Sequence, residues 1–109
     1  MTRGTSLLVL ALLALGAGVA LAQSVATPIG ERPECVRAEA TARMQAYGFD
    51  HWVTVTNTCD RPMSCEISSD VQPTPNRARI AVGAHQEFLL WRGSPASAFQ
   101  ARVDCTEAH

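Results

Sequence analysis

Apolar and polar residues alternate along most of the chain beyond residue 35, with the two-residue period that is typical of a β-strand. The clearest strand spans residues 51–58, which are dense in β-branched Val and Thr. Alternation returns at residues 65–71 and 99–105, and two further short apolar segments, at 78–82 and 86–92, also predict strands. Residues that favour turns interrupt the pattern at 48–50, 59–65, 72–76, 83–85 and 93–95.

Residues 36–46 fit two patterns. Apolar residues occupy every second position from Val36 to Ala46, which is the period of a strand. Val36, Ala40, Met44 and Tyr47 also fit one helical stripe, and the segment is rich in good helix formers. The strand period matches more positions, so we expect a strand here, with a helix as the alternative.

The spacing of these segments predicts an all-β fold. Five or six short strands with turns between them are typical of a small antiparallel β-sandwich or Greek-key domain. We assign this domain to residues 35–109, and residues 23–34, with two Pro and one Gly, to an extended lead-in.

The N-terminal segment has the pattern of a secretory signal peptide. Arg3 precedes a run of Leu, Ala and Val, and Ala20-Leu21-Ala22 supplies the small residues that signal peptidase requires. This predicts a signal peptide at residues 1–22, cleaved between Ala22 and Gln23. A retained membrane anchor is the alternative, but the apolar run from Leu7 to Ala22 would span only about 24 Å of a roughly 30 Å hydrocarbon core.

Four cysteines lie beyond the predicted cleavage site, at positions 35, 59, 65 and 105. An even count in a small exported domain predicts two disulfides, each worth roughly 2–4 kcal/mol. Two pairings are reasonable: Cys35–Cys59 with Cys65–Cys105, or Cys59–Cys65 with Cys35–Cys105. A zinc site is disfavoured because no close Cys pair and no His pair has ligand spacing.

Composition excludes several classes of function. The chain has 109 residues and a formal net charge of −1, and all nine of its basic residues are Arg. This near-neutral balance disfavours a nucleic-acid partner, and the length excludes a dinucleotide-binding fold with a substrate domain. No second apolar segment is long enough to span a membrane after signal cleavage. We therefore expect a secreted or periplasmic protein.

The search for catalytic motifs finds little. Nucleophile-elbow, phosphate-loop, zinc-protease and calcium-loop patterns are missing from the sequence, so we expect no cofactor, no metal and no enzymatic activity. Asp50 and His51 could orient a triad with Ser94, but consecutive strand residues point to opposite faces. A small hydrolase is thus the weakest hypothesis.

The strand at residues 86–92 has apolar residues in both phases, which half-buried strands usually avoid. If Phe88 and Leu90 fill the core, Leu89 and Trp91 lie on the outer face. Trp52 likewise lies opposite its apolar neighbours. We predict a binding patch formed by Leu89, Trp91, Arg92 and Trp52.

Three stretches of the chain resemble small uncharacterised exported bacterial proteins. They are residues 53–71, from Val53-Thr-Val-Thr-Asn-Thr-Cys to Asp70-Val71, then Arg92-Gly-Ser-Pro95, and a closing Phe-x-x-x-Val-x-Cys. The resemblance implies an exported, disulfide-stapled β domain and no activity. Our leading hypothesis is an exported non-enzymatic binding or structural module with an unknown protein or glycan partner. The alternative is a secreted hydrolase inhibitor that presents a rigid loop, such as Gln72–Arg77 or Arg61–Met63.

Signal-peptide cleavage can be tested directly. The intact mass of the exported protein should correspond to a chain that begins at Gln23, because the small residues before it fit the peptidase pocket. A mass that retains residues 1–22, found in the membrane fraction, would reject the prediction.

Overall fold

The computed structural model describes residues 24–109, so the predicted signal peptide and its cleavage site between Ala22 and Gln23 lie outside the described residues. Within residues 24–109 the fold is all-β, with seven strands and no helix. The strands are β1 Ser24–Ala26, β2 Val36–Gln45, β3 Gly48–Asn57, β4 Met63–Ser69, β5 Asn76–Ile80, β6 His85–Ser94 and β7 Ala101–Glu107.

The seven strands form two antiparallel sheets. One sheet has the order β1-β2-β3-β6 and the other has the order β5-β4-β7. β3 and β6 pair side by side, although the β4–β5 hairpin that separates them in sequence belongs to the other sheet. The predicted small antiparallel β-sandwich is confirmed. It has more strands than expected, because part of the lead-in forms β1.

The ambiguous segment is a strand, as its alternation predicted. All ten residues of β2 pair with β3, from Val36 opposite Asn57 to Gln45 opposite Gly48. Ala38, Ala40 and Ala42 are buried on the inner face, where a larger side chain would hold the two sheets apart. The helix alternative fails because this long pairing buries every second residue, which a helix of the same sequence would not do.

Two predicted breaks lie inside strands. The turn between β2 and β3 is Ala46–Tyr47, so the bend expected at residues 48–50 is instead the start of β3. Gly48 has a φ of 130°, and a Cβ there would come within 2.9 Å of the Ser94 carbonyl oxygen. Only glycine therefore fits this close approach of β3 to β6. The break expected at Gly93 and Ser94 is paired strand, since Ser94 lies opposite Phe49.

Both sheets contribute to one core. Its fully buried aliphatic side chains come from β3, β4, β5 and β7: Val53, Val55, Met63, Ile67, Ile80 and Val103. Asn57 is also fully buried, and its side chain joins separate segments. Nδ2 donates to the carbonyl oxygens of Arg61 and Ile80 at 2.9 and 3.0 Å, and Oδ1 accepts from the Cys59 N–H at 2.9 Å.

Two disulfides reinforce this core, Cys35–Cys59 and Cys65–Cys105. Cys65 and Cys105 occupy directly opposite positions of β4 and β7. Cys35 and Cys59 flank the open end of the β2–β3 hairpin, just outside its two strands. This pairing is the first of the two that the sequence left open, and Cys59, Cys65 and Cys105 point inward as their strand phase predicted. Disulfides of this kind fit an oxidising, extracytoplasmic environment.

The two disulfides should differ in their accessibility to a reductant. Cys35 is only partly buried, whereas Cys65 and Cys105 are 1% and 5% exposed. We expect Cys35–Cys59 to open first under limiting reductant, because thiolate attack requires access to a sulfur atom. Brief reduction, alkylation and peptide mass spectrometry would measure the order. Simultaneous labelling of all four cysteines would contradict it.

Candidate functional site

The four predicted patch residues lie on neighbouring parts of β3 and β6. Trp52 on β3 is directly opposite Leu89 on β6, and both side chains are half-buried on the outer face of the four-stranded sheet. Trp91 lies opposite His51, one step along the same pair of strands, and Arg92 follows it as an exposed residue. The four predicted residues therefore lie on paired stretches of β3 and β6, where Trp91 is opposite the fully buried His51.

The patch is part of a longer row that crosses the whole sheet. Val25 on β1 pairs with Thr41 on β2, Thr41 pairs with Trp52, and Trp52 pairs with Leu89. Four strands at about 4.8 Å spacing give this outer row a width of about 14 Å. Val25 is 63% exposed and Thr41 is half-buried. Sequence reasoning missed both, because no local pattern shows which strands become neighbours.

Arg43 holds Trp52 in place from the neighbouring strand. Its guanidinium lies 4.8 Å from the centroid of the Trp52 ring, and its Nη2 donates to Glu87 Oε2 at 3.1 Å. A cation over an aromatic face contributes about 0.5–1 kcal/mol at an exposed site. The bridge from β2 to β6 therefore fixes the Trp52 ring and occupies one of its faces. It leaves Trp91 as the more accessible of the two indoles.

Trp91 owes its exposure to an irregular part of β6. The register with β3 shifts on both sides of His51, so that Leu90 and Trp91 together occupy the space opposite one residue. Leu90 is 5% exposed and belongs to the core, whereas Trp91 is 41% exposed. The shift means that the alternation which puts Leu89 on the outer face does not extend to Trp91, which pairs with the buried His51.

Further apolar residues are exposed at the tip of the β2–β3 hairpin. Met44 has the inward phase of β2 yet is 65% exposed, and Tyr47 in the turn is 55% exposed. Tyr47 Oη donates to Asp50 Oδ2 at 2.9 Å, and Asp50 Oδ1 accepts from the Gly93 N–H at 3.1 Å. The Asp50 carboxylate thus joins the hairpin tip to the end of β6 that carries Trp91.

The residues of the hypothetical triad are all buried but are not linked to one another. His51 Nε2 lies 2.9 Å from the Ala96 carbonyl oxygen, and Ser94 Oγ accepts from the Ala96 N–H at 3.0 Å. Asp50 is bonded to Tyr47 and Gly93 instead. Because Ser94 is only 3% exposed, it is not presented to a substrate, and the three side chains form no proton relay.

His51 is built into the core. It is fully buried and stacks on Phe99, with ring centroids 4.1 Å apart and planes inclined by 10°. A carbonyl oxygen only accepts, so Nε2 carries the proton that it donates to Ala96. Nδ1 has no hydrogen-bond partner among the described residues. The ring therefore anchors the loop that follows β6 against the four-stranded sheet.

An open groove of about 540 Å³ lies over the outer face of β7, beside residues 31–33. Apart from that of Glu31, its charged side chains are already bonded within the fold. Arg102 Nε lies 2.8 Å from Asp104 Oδ2, and Arg32 donates to the carbonyl oxygens of Pro28 and Val103 at 2.9 and 3.1 Å. The groove therefore lacks the free convergent groups that mark a polar binding site.

Within residues 24–109, no group of three or more His, Cys, Asp or Glu side chains is arranged to hold a metal ion. The same part of the chain contains no helix long and apolar enough to cross a membrane. All four cysteines are bonded in pairs.

The titration of Tyr47 tests the contact at the hairpin tip. Its pKa is raised above the ordinary value, chiefly because the phenol donates to the Asp50 carboxylate, while Arg92 acts in the opposite direction. The contact therefore stabilises the fold below the pKa of an unfolded tyrosine, and this contribution is lost as pH rises through the folded pKa.

Tyr47 is the single tyrosine of the chain, so ultraviolet absorption reports its ionisation directly. We expect its titration midpoint to lie above about 10, the ordinary value for tyrosine. The Asp50→Asn variant should bring the midpoint closer to that value, because the negative charge is gone. An unchanged midpoint in the variant would show that the contact does not control the phenol.

Comparison with known proteins identifies no relative: no family model, no curated protein and no solved structure matches this chain. The resemblance to small exported bacterial proteins stays a prediction. The function is therefore inferred from the geometry of the molecule itself.

Proposed function

We propose that this protein is an exported, non-enzymatic binding module, secreted or periplasmic, whose contact surface is formed by β3 and β6 of the four-stranded sheet. Its centre is the predicted patch of Leu89, Trp91, Arg92 and Trp52. The outer row extends this surface to Val25 on the far edge of the sheet.

The exposure of Trp91 is the observation that carries the proposal. Burying a large apolar side chain is worth about 1.5–3 kcal/mol, yet 41% of Trp91 faces solvent. Tryptophan and arginine are the residue types most often found at the energetic centre of an interface. A partner that covered Trp91 would gain the free energy of burying the part of this side chain that folding leaves exposed.

The charges around the patch define the chemistry of the partner. Arg92, the residue after Trp91, is exposed and offers a fork of N–H donors, whereas Arg43 is held by Glu87. The surface therefore suits a protein or glycan that combines an apolar face with carboxylate or hydroxyl acceptors. Arg43 and Glu87 add contact area to this surface but little net charge, since they neutralise each other.

The loop between β4 and β5 supports a second candidate function, inhibition of a hydrolase. Residues 73–77 are exposed, and the base of the loop is fixed: Ser69 Oγ accepts from the N–H groups of Val71 and Gln72 at 3.2 and 2.9 Å. A rigid loop binds with a lower ordering cost. The other loop considered from sequence, Arg61–Met63, does not suit this role because Met63 is fully buried in the core.

Binding should be measured with matched variants. The mature protein would be screened against a glycan array and against extracytoplasmic proteins of the exporting cell, alongside Trp91→Ala and Arg92→Ala. Val82→Ala is the control, because Val82 is 54% exposed but lies outside the patch, between β5 and β6. The two patch variants should lose at least tenfold in affinity, about 1.4 kcal/mol, and the control should bind normally.

Retention of the partner by both patch variants would reject this surface. A partner lost instead when residues 73–75 are replaced by Gly and Ser, together with inhibition of a hydrolase in a protease panel, would establish the second candidate.

The stability of the same variants separates binding from folding. Trp91→Ala should change the free energy of unfolding by no more than about 0.5 kcal/mol, because exposed substitutions rarely exceed that value. Leu90→Ala, which empties a core position next to it, should cost about 2–5 kcal/mol. Thermal or denaturant unfolding measures both. A severe loss in Trp91→Ala would place the indole in the core and remove the basis for the patch.

A further inference from the structure

The segment before β2 lies along both sheets. We call residues 24–32 the strap. Its β1 pairs antiparallel with β2 in the four-stranded sheet. Further along, Ile29 N–H donates to the Ala101 carbonyl at 3.0 Å, and the Ile29 carbonyl accepts from the Val103 N–H at 2.9 Å. This part of the strap runs parallel to β7. One short segment therefore covers an edge of each sheet.

Specific side-chain contacts hold the strap on β7. Asp104 Oδ1 accepts from the Glu31 N–H at 2.8 Å. The Arg32 guanidinium folds back to the carbonyl oxygens of Pro28 and Val103. Gly30 has a φ of 126°, and a Cβ at this position would clash with the Val103 carbonyl. The site on β7 therefore accepts this sequence and rejects one with a side chain at residue 30.

The strap is nevertheless independent of the covalent framework. The loops closed by the disulfides run from Cys35 to Cys59 and from Cys65 to Cys105, so the strap precedes both. The core cluster is built from residues beyond the strap. Pro28 is buried, but Val25 and Ile29 are 63% and 50% exposed. Detaching the strap would break edge contacts and leave the cross-linked core in place.

We propose that the strap is an exchangeable strand, and that the edges of β2 and β7 which it covers accept the strap of a second copy of this chain. Bared edges carry unpaired N–H and C=O groups and are ready templates for another strand. An identical strap supplies the glycine and the guanidinium that the site on β7 requires. Reciprocal exchange would close a two-fold dimer, with residues 33 and 34 as the hinge.

Asp104 makes the exchange sensitive to acid. Its pKa is lowered, foremost by the Glu31 N–H and further by Arg102 and Arg32. The contact is therefore present above the pKa of an unfolded aspartate and is lost as pH falls through the lower folded value. Glu31 and Glu66 are the other acidic residues that line this groove. A brief exposure to acid should loosen the strap before the core unfolds.

A full-length variant can present the empty edge of β7. In Gly30→Val the chain's own strap no longer seats on β7. We expect this variant to remain folded and disulfide-bonded, and to bind a fluorescent peptide of residues 24–34 with a saturable rise in anisotropy. The control peptide carries the same Gly30→Val change and should bind at least tenfold more weakly, because its side chain meets the Val103 carbonyl.

The unmodified protein provides an independent measurement. Hydrogen exchange should release the Val103 and Cys105 amides, which donate to the strap, before the amides of β3. After a brief acid step at high protein concentration, light scattering should detect a dimer. The Asp104→Asn variant should form this dimer on the order of tenfold faster, because it lacks one charge-assisted hydrogen bond between Asp104 and the strap.

Three results would overturn the proposal. Unfolding of the Gly30→Val chain would make the strap an integral part of the core. Equal binding of the two peptides would mean that the site does not recognise the strap. Exchange of the Val103 and Cys105 amides at the same rate as those of β3 would show that the strap leaves only when the whole domain unfolds.

Discussion

The structure depends on closing two sheets over one core to which β2 contributes mainly small side chains. The inward positions of β2 include Ala38, Ala40 and Ala42, which let the opposite sheet approach closely but remove little apolar surface from water. A domain of this size gains limited stability from its core alone. The disulfides compensate: one joins directly opposite positions of β4 and β7, and the other closes the open end of the β2–β3 hairpin.

The same constraint explains where apolar side chains remain exposed. β2, β3 and β6 each have ten residues, whereas the strands of the facing sheet have five to seven. The ends of the long strands therefore extend beyond the sheet that would cover them, and Met44 is exposed although its phase is inward. The register shifts beside His51 move Trp91 out of the regular ladder at this same end of the sheet. The proposed binding surface is thus a consequence of unequal strand lengths and an irregular edge.

The strap and the patch lie on the four-stranded sheet but have different physical origins. Val25 belongs to both, as part of β1 and as the far end of the outer row. Exchange of the strap would replace this residue with its equivalent from a second copy, so it would preserve the row. Binding at Trp91 and strand exchange at β2 and β7 are therefore compatible within one molecule.

The sequence by itself determined the strand class of most elements, the inward direction of three cysteines and the outward phase of Trp52 and Leu89, because alternation is a local property of a half-buried strand. It determined less about where each strand begins and ends, because Gly48 and Ser94 are residue types that favour turns, yet both lie in paired strands. Only the tertiary structure decided the choice between the two disulfide pairings, the placement of Val25 beside Thr41 and the role of residues 24–32 across both sheets. These features depend on contacts between segments far apart in the chain, and no local pattern of side chains encodes which of several open edges a strand will find.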